Sequence, residues 1–309
     1  MRVLIIFIAT IMTFSAFALE TDNYLSWQTE LKDSSHHINK YFSEKIQIAL
    51  NEIQEQDSKS CEQLTEEIGK TFASKLVHDN PVENWLFSVL NGEEIFPANL
   101  DYVQESIYRE PFRFYIPWFG LAPNIQINGF YLGTDKLSHF ASTGMDYFKI
   151  FNRTGSLEKA LQWGILDEKT VHGYLSSGVL SFADLESNYQ GLKFYQKFCQ
   201  GDSYLQKDES GKWFLARSPD IREFVNGHWD ETYELSHLLP ENWKKVSAIL
   251  KDKYCHLSFT EKVSARMNYY RETSKVSPSM KYLNALKASG KLPDPFQTQS
   301  FKELCSGVL

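Results

Sequence analysis

The chain has 309 residues and a formal net charge of −7, from 39 acidic and 32 basic side chains. This length allows one large domain or two small ones. The acidic balance argues against a nucleic-acid-binding protein, because no basic stripe is available to displace the counterions of a phosphate backbone. It is compatible with a cationic partner, such as a polymer that carries free amines.

The first 18 residues have the pattern of a cleavable secretory signal peptide. Arg2 forms a short positive region, residues 3–14 are almost wholly apolar, and residues 16–18 follow the small-x-small rule of signal peptidase. The apolar stretch is shorter than the roughly 20 residues that a membrane-spanning helix needs. We therefore predict cleavage after Ala18, a periplasmic or secreted location, and a mature protein with no integral membrane span. An uncleaved N-terminal anchor is the alternative.

The cysteines are widely spaced, without a Cys-x-x-Cys pair or the spacing of a zinc site. They are Cys61, Cys199, Cys255 and Cys305. In an oxidising compartment, an even number of cysteines predicts disulfides, and four cysteines allow three pairings. A pair that includes Cys305 would fix the C-terminal tail.

Helical periodicity dominates the sequence and begins in an N-terminal helical layer over residues 19–96. Apolar residues repeat at helical spacing over residues 38–56 and 62–78, and a short third segment covers residues 85–90. Asn80-Pro81 ends the second of these helices, because the residue before a proline avoids the helical conformation.

The segment from residue 97 to residue 133 is rich in proline, glycine and aromatic residues. It predicts irregular chain with short strands, and Asn128-Gly129 predicts the turn of a hairpin. The aromatic side chains of this segment are expected in the core, with a wall for sugar stacking as the alternative. They are Tyr115, Trp118, Phe119, Phe130 and Tyr131.

Residues 97–309 are expected to form a catalytic-type helical domain with short hairpins and an irregular C-terminal tail. Its helices are predicted at residues 134–151, 156–170, 181–199, 241–254 and 259–272. Thr134, Ser156 and Ser181 are their predicted caps at the first three starts. A polar surface loop or hairpin is predicted over residues 201–212. The predicted fold class is mainly α, as α+β with a small hairpin.

The densest set of candidate catalytic residues lies between Gly133 and Gly191. Asp135 and His139 are four residues apart and therefore share a helix face. The carboxylate can orient the imidazole as a base, or the two can bind a metal together with Asp184. Structural roles for both, with Asp135 as a partner of the helix dipole, are the alternative.

Glu168 is the candidate general acid. It lies near the end of a predicted helix, just before a glycine-rich turn over residues 172–181. Glycoside hydrolysis needs a proton donor in a partly dry pocket, and the negative end of the helix dipole would raise the pKa of such a donor. An ordinary solvated glutamate is the alternative.

A second carboxylate is expected on the helix that begins at Ser181. Asp184 is suited to hold a water or to stabilise positive charge at the sugar ring, and its alternative role is the helix cap. Asn188 lies four residues further on the same helix face. Glu186 points elsewhere and is the weaker candidate catalyst.

Trp229, Asp230 and Glu231 form the last candidate cluster. The two acids can line a cleft in which Trp229 stacks on a sugar, and a turn with surface acids is the alternative.

The chain contains no P-loop, dinucleotide fingerprint, His-Glu-x-x-His motif or nucleophile elbow. We therefore expect no cofactor, and we expect a monomer.

Three blocks of the sequence, taken as a set, resemble a group of secreted bacterial proteins. The blocks are Gly133–Phe140, with the pattern Gly-x-Asp-Lys-x-x-His-Phe, Gly178–Gly191 and Trp229–Glu231. This group is similar to the lysozyme-like wall hydrolases of predatory bacteria, including the lysozyme specific for deacetylated peptidoglycan. The resemblance implies a lysozyme-like helical domain in which an acidic residue cleaves the glycan strand. It also gives the acidic surface a purpose, because deacetylated glucosamine is cationic at neutral pH.

The leading hypothesis is a secreted or periplasmic glycoside hydrolase of the lysozyme type that acts on peptidoglycan. Glu168 would be the general acid, and Asp184, or with less support Glu186, would act on the other side of the bond. The residues expected to bind substrate are Asp135, His139, Asn188, Trp229 and Asp230. The alternatives are a metal-dependent hydrolase that uses Asp135 and His139, and a non-catalytic protein that binds the envelope or the wall.

Overall fold

The computed structural model describes residues 20–53, 58–73, 81–97, 102–109, 121–170, 173, 177–291 and 301–305. The signal peptide predicted over residues 1–18 lies outside these described residues. The same is true of three aromatic residues of the proline-rich segment, namely Tyr115, Trp118 and Phe119.

Three helices form the N-terminal part of the fold: α1 (Ser35–Glu52), α2 (Cys61–Gly69) and α3 (Pro81–Val89). The apolar stripe of α1, which includes Phe42 and Ile46, is buried as its spacing predicts. Ser60 starts α2 through a capping box with Gln63. The second helix ends at Gly69, earlier than predicted, and residues 74–78 of the prediction lie outside the described part of the chain.

Among the described residues, five short strands precede or follow these helices in the chain: β1 (Glu20–Thr21), β2 (Ile95–Phe96), β3 (Leu121–Ala122), β4 (Asn124–Ile127) and β5 (Phe130–Gly133). β1 pairs with β3 in parallel, and β2, β4 and β5 form an antiparallel sheet in that order. The predicted hairpin is confirmed, since Asn128 and Gly129 have φ values of 51° and 84°. Phe130 and Tyr131 are buried, which agrees with a role in the core.

The second half of the fold is mainly helical. Its helices are α4 (Thr134–Ser138), α5 (Gly144–Thr154), α6 (Leu157–Glu168), α7 (Phe182–Gln196), α8 (Pro240–Ile249), α9 (Glu261–Thr273), α10 (Pro278–Ala288) and α11 (Phe301–Cys305). A π-helical turn over His139–Thr143 joins α4 to α5. Ser156 and Ser181 cap α6 and α7 through their side chains, as predicted. Thr134 does not act as a cap, because it is already the first residue of α4.

Two further strand pairs connect these helices: β6 (Val179–Leu180) with β9 (His237–Leu238), and β7 (Leu205–Lys207) with β8 (Trp213–Leu215). The second pair forms a hairpin that overlaps the one predicted over residues 201–212 and extends beyond it to Leu215. The tail is more regular than predicted, because α10 begins with Pro278 at a helix start that Ser277 caps. A mainly α fold with small hairpins is therefore confirmed.

Aromatic side chains from both sides of the predicted boundary at residue 96 share one hydrophobic core. The ring of Phe42 on α1 lies 5.8 Å from that of Phe140 and 5.3 Å from that of Phe194. The rings of Phe140 and Phe194 are 5.0 Å apart. This contact packs the N-terminal helices against α7 and the π-helical turn, where the candidate acids lie.

The prediction of two disulfides is confirmed. Cys61 pairs with Cys199, and Cys255 pairs with Cys305, with Cα–Cα distances of 5.7 Å and 5.4 Å. The second bridge fixes α11 at the C-terminal end. Both bridges fit an extracytoplasmic protein. Among the described residues, none of the helices combines the length and the apolar character needed to cross a bilayer.

Candidate functional site

A buried lysine lies at the centre of the candidate site. Lys136 is in the first turn of α4, and its side chain is 0 % exposed. Its Nζ lies 2.8 Å from Asp135 Oδ2, 2.5 Å from Asp184 Oδ1 and 2.6 Å from Glu231 Oε1. Burial would lower the pKa of Lys136, but these carboxylates outweigh it and hold the pKa well above its ordinary value. The lysine is therefore a fixed positive charge.

The three carboxylates reach Lys136 from different elements. Asp135 precedes it on α4, Asp184 lies in the first turn of α7, and Glu231 follows a short 3₁₀ turn. The hydroxyl of Ser181, the cap of α7, donates to Glu231 Oε1 at 3.0 Å. Burial raises the pKa of Glu231 to about 7, against the opposing effect of Lys136. The start of α7 and the lysine thus hold this glutamate together.

Glu20 on β1 is a member of the site that sequence analysis missed. It is buried, and this burial raises the pKa of its carboxyl group well above the ordinary value. The nearby charges of Glu231 and Asp184 raise it further. Glu20 reaches the site through the pairing of β1 with β3, and a two-residue strand carries no periodic signal that could have predicted this.

Close approach of β1 to α4 also fixes Asp135. Thr21 Oγ1 donates to Asp135 Oδ1 at 2.5 Å, and the backbone N–H of Lys136 donates to the same oxygen at 2.9 Å. A Cβ atom on Gly133 would lie 1.7 Å from Thr21 Oγ1 and 2.2 Å from Asp135 Oδ1. Glycine is therefore needed at position 133, the first residue of the block that carries the resemblance.

His139 faces α7 from the start of the π-helical turn. Its Nε2 lies 3.4 Å from Asp184 Oδ2, and its Nδ1 lies 3.2 Å from Asn188 Oδ1. The spacing of α7 therefore brings Asp184 and Asn188 to one imidazole, as their shared face predicts. Asp135 instead contacts Lys136 and Thr21. Asp135 and His139, which their spacing predicted on one helix face, therefore have different partners. The side chain of His139 is 16 % exposed.

Glu168 ends α6 beside this imidazole. It is 1 % exposed, which excludes the alternative of a solvated surface glutamate. Ligand-type atoms of His139, Glu168 and Asp184 all lie within 4.8 Å of one another. Among the described residues, Glu168 Oε1 has no hydrogen-bond partner. Burial raises the pKa of Glu168 well above its ordinary value, and the charge of Asp184 adds to this.

Glu168 and Asp184 have opposite pKa shifts. Burial raises the pKa of Asp184, but the charges of His139 and Lys136 outweigh it and lower the pKa below its ordinary value. Glu168 therefore holds its proton to a higher pH than an ordinary glutamate does, and Asp184 loses its proton at a lower pH than an ordinary aspartate does. Neighbouring groups whose environments separate their pKa values in this way are suited to act as an acid and a base or nucleophile.

Glu186 lies outside this group of residues. Its carboxylate accepts hydrogen bonds from Gln190 Nε2 at 2.8 Å, Asn226 Nδ2 at 3.0 Å and Ser277 Oγ at 2.5 Å. These contacts connect α7 with the 3₁₀ turn and with the start of α10. The structure thus gives Glu186 a bridging role between elements, and it does not place it opposite Glu168.

The third sequence block is buried, so the interpretation of a turn with surface acids is wrong. Asp230 accepts hydrogen bonds from Tyr270 Oη at 3.0 Å and Thr232 Oγ1 at 2.6 Å. Trp229 is fully buried, and its ring packs 5.7 Å from that of Phe140. In this position the tryptophan has no open face on which a sugar could stack, and Asp230 contacts core residues.

Two sets of ligand-type residues occur in the candidate site. Atoms of Asp135, Asp184 and Glu231 lie within 4.8 Å of one another, but the ammonium of Lys136 already lies among them. The other set is His139, Glu168 and Asp184. The set predicted from sequence, which combines Asp135 with His139, is therefore split between the two.

We call the following residues the central cluster: Glu20, Asp135, Lys136, His139, Glu168, Asp184 and Glu231. It combines a carboxyl group with a raised pKa, a carboxylate with a lowered pKa and a fixed cation. Such a set can donate a proton to a leaving oxygen and stabilise positive charge on the other side of the bond.

In the comparisons with known proteins, no family model, no curated protein and no solved structure matches this chain.

Proposed function

We propose that the protein is a glycoside hydrolase that cleaves the glycan strands of peptidoglycan. Glu168 is the general acid, and Asp184 is the second carboxylate. The observation that carries this proposal is the opposite pKa shift of two neighbouring buried carboxyl groups. The resemblance of the three sequence blocks to lysozyme-like wall hydrolases supports the substrate class.

Glu168 supplies the proton for the leaving group. Its burial raises the pKa of the carboxyl group well above the ordinary value, and its Oε1 is uncommitted among the described residues. Proton transfer to the glycosidic oxygen lets the leaving sugar depart as a neutral alcohol, and a positioned acid of this kind contributes about 10²- to 10⁴-fold in rate.

Asp184 stabilises the positive charge that develops at the anomeric carbon. Lys136 and His139 keep it ionised and hold it in place. One carboxylate oxygen of Asp184 lies within 4.8 Å of a carboxyl oxygen of Glu168. Retaining glycosidases place their carboxyl groups about 5–5.5 Å apart and inverting ones about 6.5–9.5 Å apart. We therefore expect retention of configuration, with Asp184 as the nucleophile.

The substrate approaches on the side of His139, the most exposed member of the central cluster. The whole chain has a formal net charge of −7 at pH 7. A glycan with free amino groups is attracted by such a field, whereas a fully acetylated strand is not. Deacetylated peptidoglycan is therefore the expected substrate.

The test is the release of soluble fragments from normal and deacetylated sacculi, identified by mass spectrometry. Glu168→Gln keeps the shape of the side chain and removes the proton, so we expect at least about a 10²-fold loss of release. Glu158→Gln makes the same change at an exposed position of the same helix and should keep full activity. Undiminished release by Glu168→Gln would remove Glu168 from the mechanism. Binding to sacculi without release would assign a wall-binding protein instead.

A metal-dependent hydrolase is the second candidate, because His139, Glu168 and Asp184 present ligand-type atoms within 4.8 Å of one another. An imidazole and two carboxylates form a donor set that suits Zn²⁺. Chelation separates the two candidates. A glycosidase of the proposed kind keeps its activity in EDTA, whereas activity that disappears in EDTA and returns with Zn²⁺ would select the metal-dependent enzyme.

A further inference from the structure

A second group of ligand-type side chains lies at the start of α1 and in the turn before β2. Atoms of His36, His37 and Glu94 lie within 4.8 Å of one another. His37 Nε2 lies 2.9 Å from Glu94 Oε1. These residues belong to other elements than the central cluster and have no part in the proposed hydrolysis.

We propose that His36, His37 and Glu94 form a binding site for a transition-metal ion of the Zn²⁺ type. Two imidazoles and one carboxylate are borderline ligands, which suit Zn²⁺, Ni²⁺ or Cu²⁺ better than the oxygen-seeking Mg²⁺ and Ca²⁺. His36 is exposed, so solvent can supply the remaining ligand. Three protein ligands with one open position are an ordinary arrangement for zinc.

The two imidazoles lie unusually close for consecutive residues. Neighbouring positions on a helix do not face each other, yet the ring centroids of His36 and His37 are 3.8 Å apart, with 39° between the ring planes. The stacking brings both rings to the side of Glu94. This arrangement places a pair of nitrogen ligands at a single point on the surface.

The third ligand is held in position before any metal binds. Asn91 Nδ2 donates to Glu94 Oε2 at 2.7 Å, which leaves Oε1 directed at His37. The side chain of Glu94 is 8 % exposed and that of His37 is 24 % exposed. Outer partners of this kind orient metal ligands, and their loss typically lowers metal affinity about 10- to 100-fold.

The distance between His37 and Glu94 also fits a shared metal. With Zn–N and Zn–O bonds of about 2.0–2.2 Å, two ligands of a tetrahedral ion are roughly 3.3 Å apart. The present separation of 2.9 Å between Nε2 and Oε1 is close to this value. A metal ion can therefore replace the proton between the two atoms with a small outward shift of one side chain.

Metal at this site would join the first turn of α1 to the turn before β2. The chain just before α1 already contacts this turn, since the backbone N–H of Lys32 donates to Glu93 O at 2.7 Å. The site does not exist in the unfolded chain, so metal binding stabilises the folded state. The expected role is structural, as an additional connection between the N-terminal helix and the sheet.

The experiment uses the full chain, stripped with a chelator and dialysed, and titrates it with Zn²⁺ by calorimetry. We expect the unchanged protein to bind one equivalent of Zn²⁺ at this site. In His36→Ala and in Asn91→Ala, the affinity for this equivalent should fall at least about 10-fold. His36 is exposed, so its replacement leaves the fold intact. His256→Ala changes an exposed histidine elsewhere and is the matched control, which should bind as the unchanged protein does.

A second readout comes from thermal unfolding. The Tm of the unchanged protein should rise with the Zn²⁺ concentration, and that of His36→Ala should not. Equal Zn²⁺ affinity in His36→Ala and the unchanged protein would overturn the proposal. A loss of the Zn²⁺ equivalent in His139→Gln, with binding kept in His36→Ala, would also overturn it and place the metal in the central cluster.

Discussion

Lys136 and the carboxylates around it hold one another in place. Taking an ammonium ion out of water costs several kcal/mol, and only close, well-placed partners offset that cost. Asp184 and Glu231 lie 2.5 Å and 2.6 Å from Lys136 Nζ. Without the lysine, Asp184 would keep only His139 as a charged partner, 3.4 Å away, and Glu231 would lose its ion pair. The lysine therefore contributes, together with His139, to keeping Asp184 ionised.

Removing this charge should destabilise the fold and alter the proposed acid–base pair. Lys136→Met keeps the length of the side chain, and we expect a loss of about 3–5 kcal/mol in the free energy of unfolding, measured by denaturant titration. The pKa of Asp184 should rise, since Lys136 is one of the charges that lower it.

Lys149→Met is the control for this substitution. Lys149 lies on the neighbouring helix α5, and its side chain is 45 % exposed beside Asp146. An exposed pair of this kind contributes at most about 1 kcal/mol. If Lys136→Met is no less stable than Lys149→Met, the buried lysine does not hold the cluster together.

At the level of elements, the crossing of α5 and α7 positions the candidate acids. The two helices meet at Gly144 and Gly191. A Cβ atom on Gly191 would lie 2.1 Å from the carbonyl oxygen of Phe140, and one on Gly144 would lie 2.6 Å from the Cα of Gly191. Both neighbours are backbone atoms, which cannot turn away. Glycine at the crossing therefore allows His139 and α7 to come within contact distance.

Gly191→Ala tests this packing. In an isolated helix, alanine is more favourable than glycine by about 1 kcal/mol. At this crossing we expect the opposite sign, because overpacking against backbone typically costs about 1–3 kcal/mol. The measurement is the free energy of unfolding by denaturant titration.

Gly92→Ala is the matched control, since a Cβ atom at that position would meet nothing within 4 Å. It should change the free energy of unfolding by no more than about 0.5 kcal/mol. A Gly191→Ala protein that is as stable as this control would show that the helices can separate without cost.

Local sequence signals were sufficient for the parts of the site that lie on one helix. Ser181 predicted the start of α7, because a serine hydroxyl can accept the N–H of the third residue along the helix. The spacing of Asp184 and Asn188 predicted their shared partner. The π-helical turn was not predicted, because its residues have the apolar period of an ordinary helix.

The partners of Lys136 could not be predicted in the same way. Glu20 and Glu231 are far from it in sequence, and Glu20 lies on β1, which pairs with β3. Each of these strands has two residues, so no alternation marks it. The sequence predicted the candidate acids, but long-range pairing decides which of them share a charge.

For the whole molecule, the disulfides close two long loops. The sequence separations are 138 residues for Cys61–Cys199 and 50 residues for Cys255–Cys305. In the chain-entropy model, such bridges stabilise the fold by roughly 5 and 4 kcal/mol, because they restrict the unfolded chain.

We therefore expect removal of either bridge by paired Cys→Ser substitution to lower the Tm. Replacement of Cys61 and Cys199 should have the larger effect, since it opens the longer loop. Calorimetry of the two double variants and of the oxidised protein checks the order. A larger loss for Cys255 and Cys305 would mean that fixing the tail matters more than loop length.

Stability should also depend on pH in an unusual direction. Burial raises the pKa of Glu231 and of Glu83 from 4.5 to about 7, and that of Asp22 from 3.8 to about 6. Such groups stabilise the folded state below the pKa of the unfolded chain, and this contribution is lost as the pH rises through the folded value. The free energy of unfolding should therefore fall between about pH 4.5 and pH 7.

His237 acts against this trend. Burial lowers its pKa from 6.5 to about 4. In that interval the unfolded chain binds the proton more readily than the folded protein does, so this histidine makes stability rise with pH. The effect of this one imidazole is opposed by three carboxyl groups whose pKa values in the folded protein are near neutrality. The net change from pH 5 to pH 8 is therefore a loss of stability.

Differential scanning calorimetry between pH 5 and pH 8 measures this change. We expect the Tm at pH 5 to exceed that at pH 8 by at least about 2 °C, the shift that about 1 kcal/mol produces in a protein of this size. Glu83→Gln should reduce the slope, because an amide replaces the protonated carboxyl group beside Ser138. Glu158→Gln, at an exposed position, should leave the slope unchanged. A Tm that rises from pH 5 to pH 8 would mean that these acids are ionised in the folded protein. A raised pKa of Glu168, which shares the central cluster with Glu231, would then not be expected.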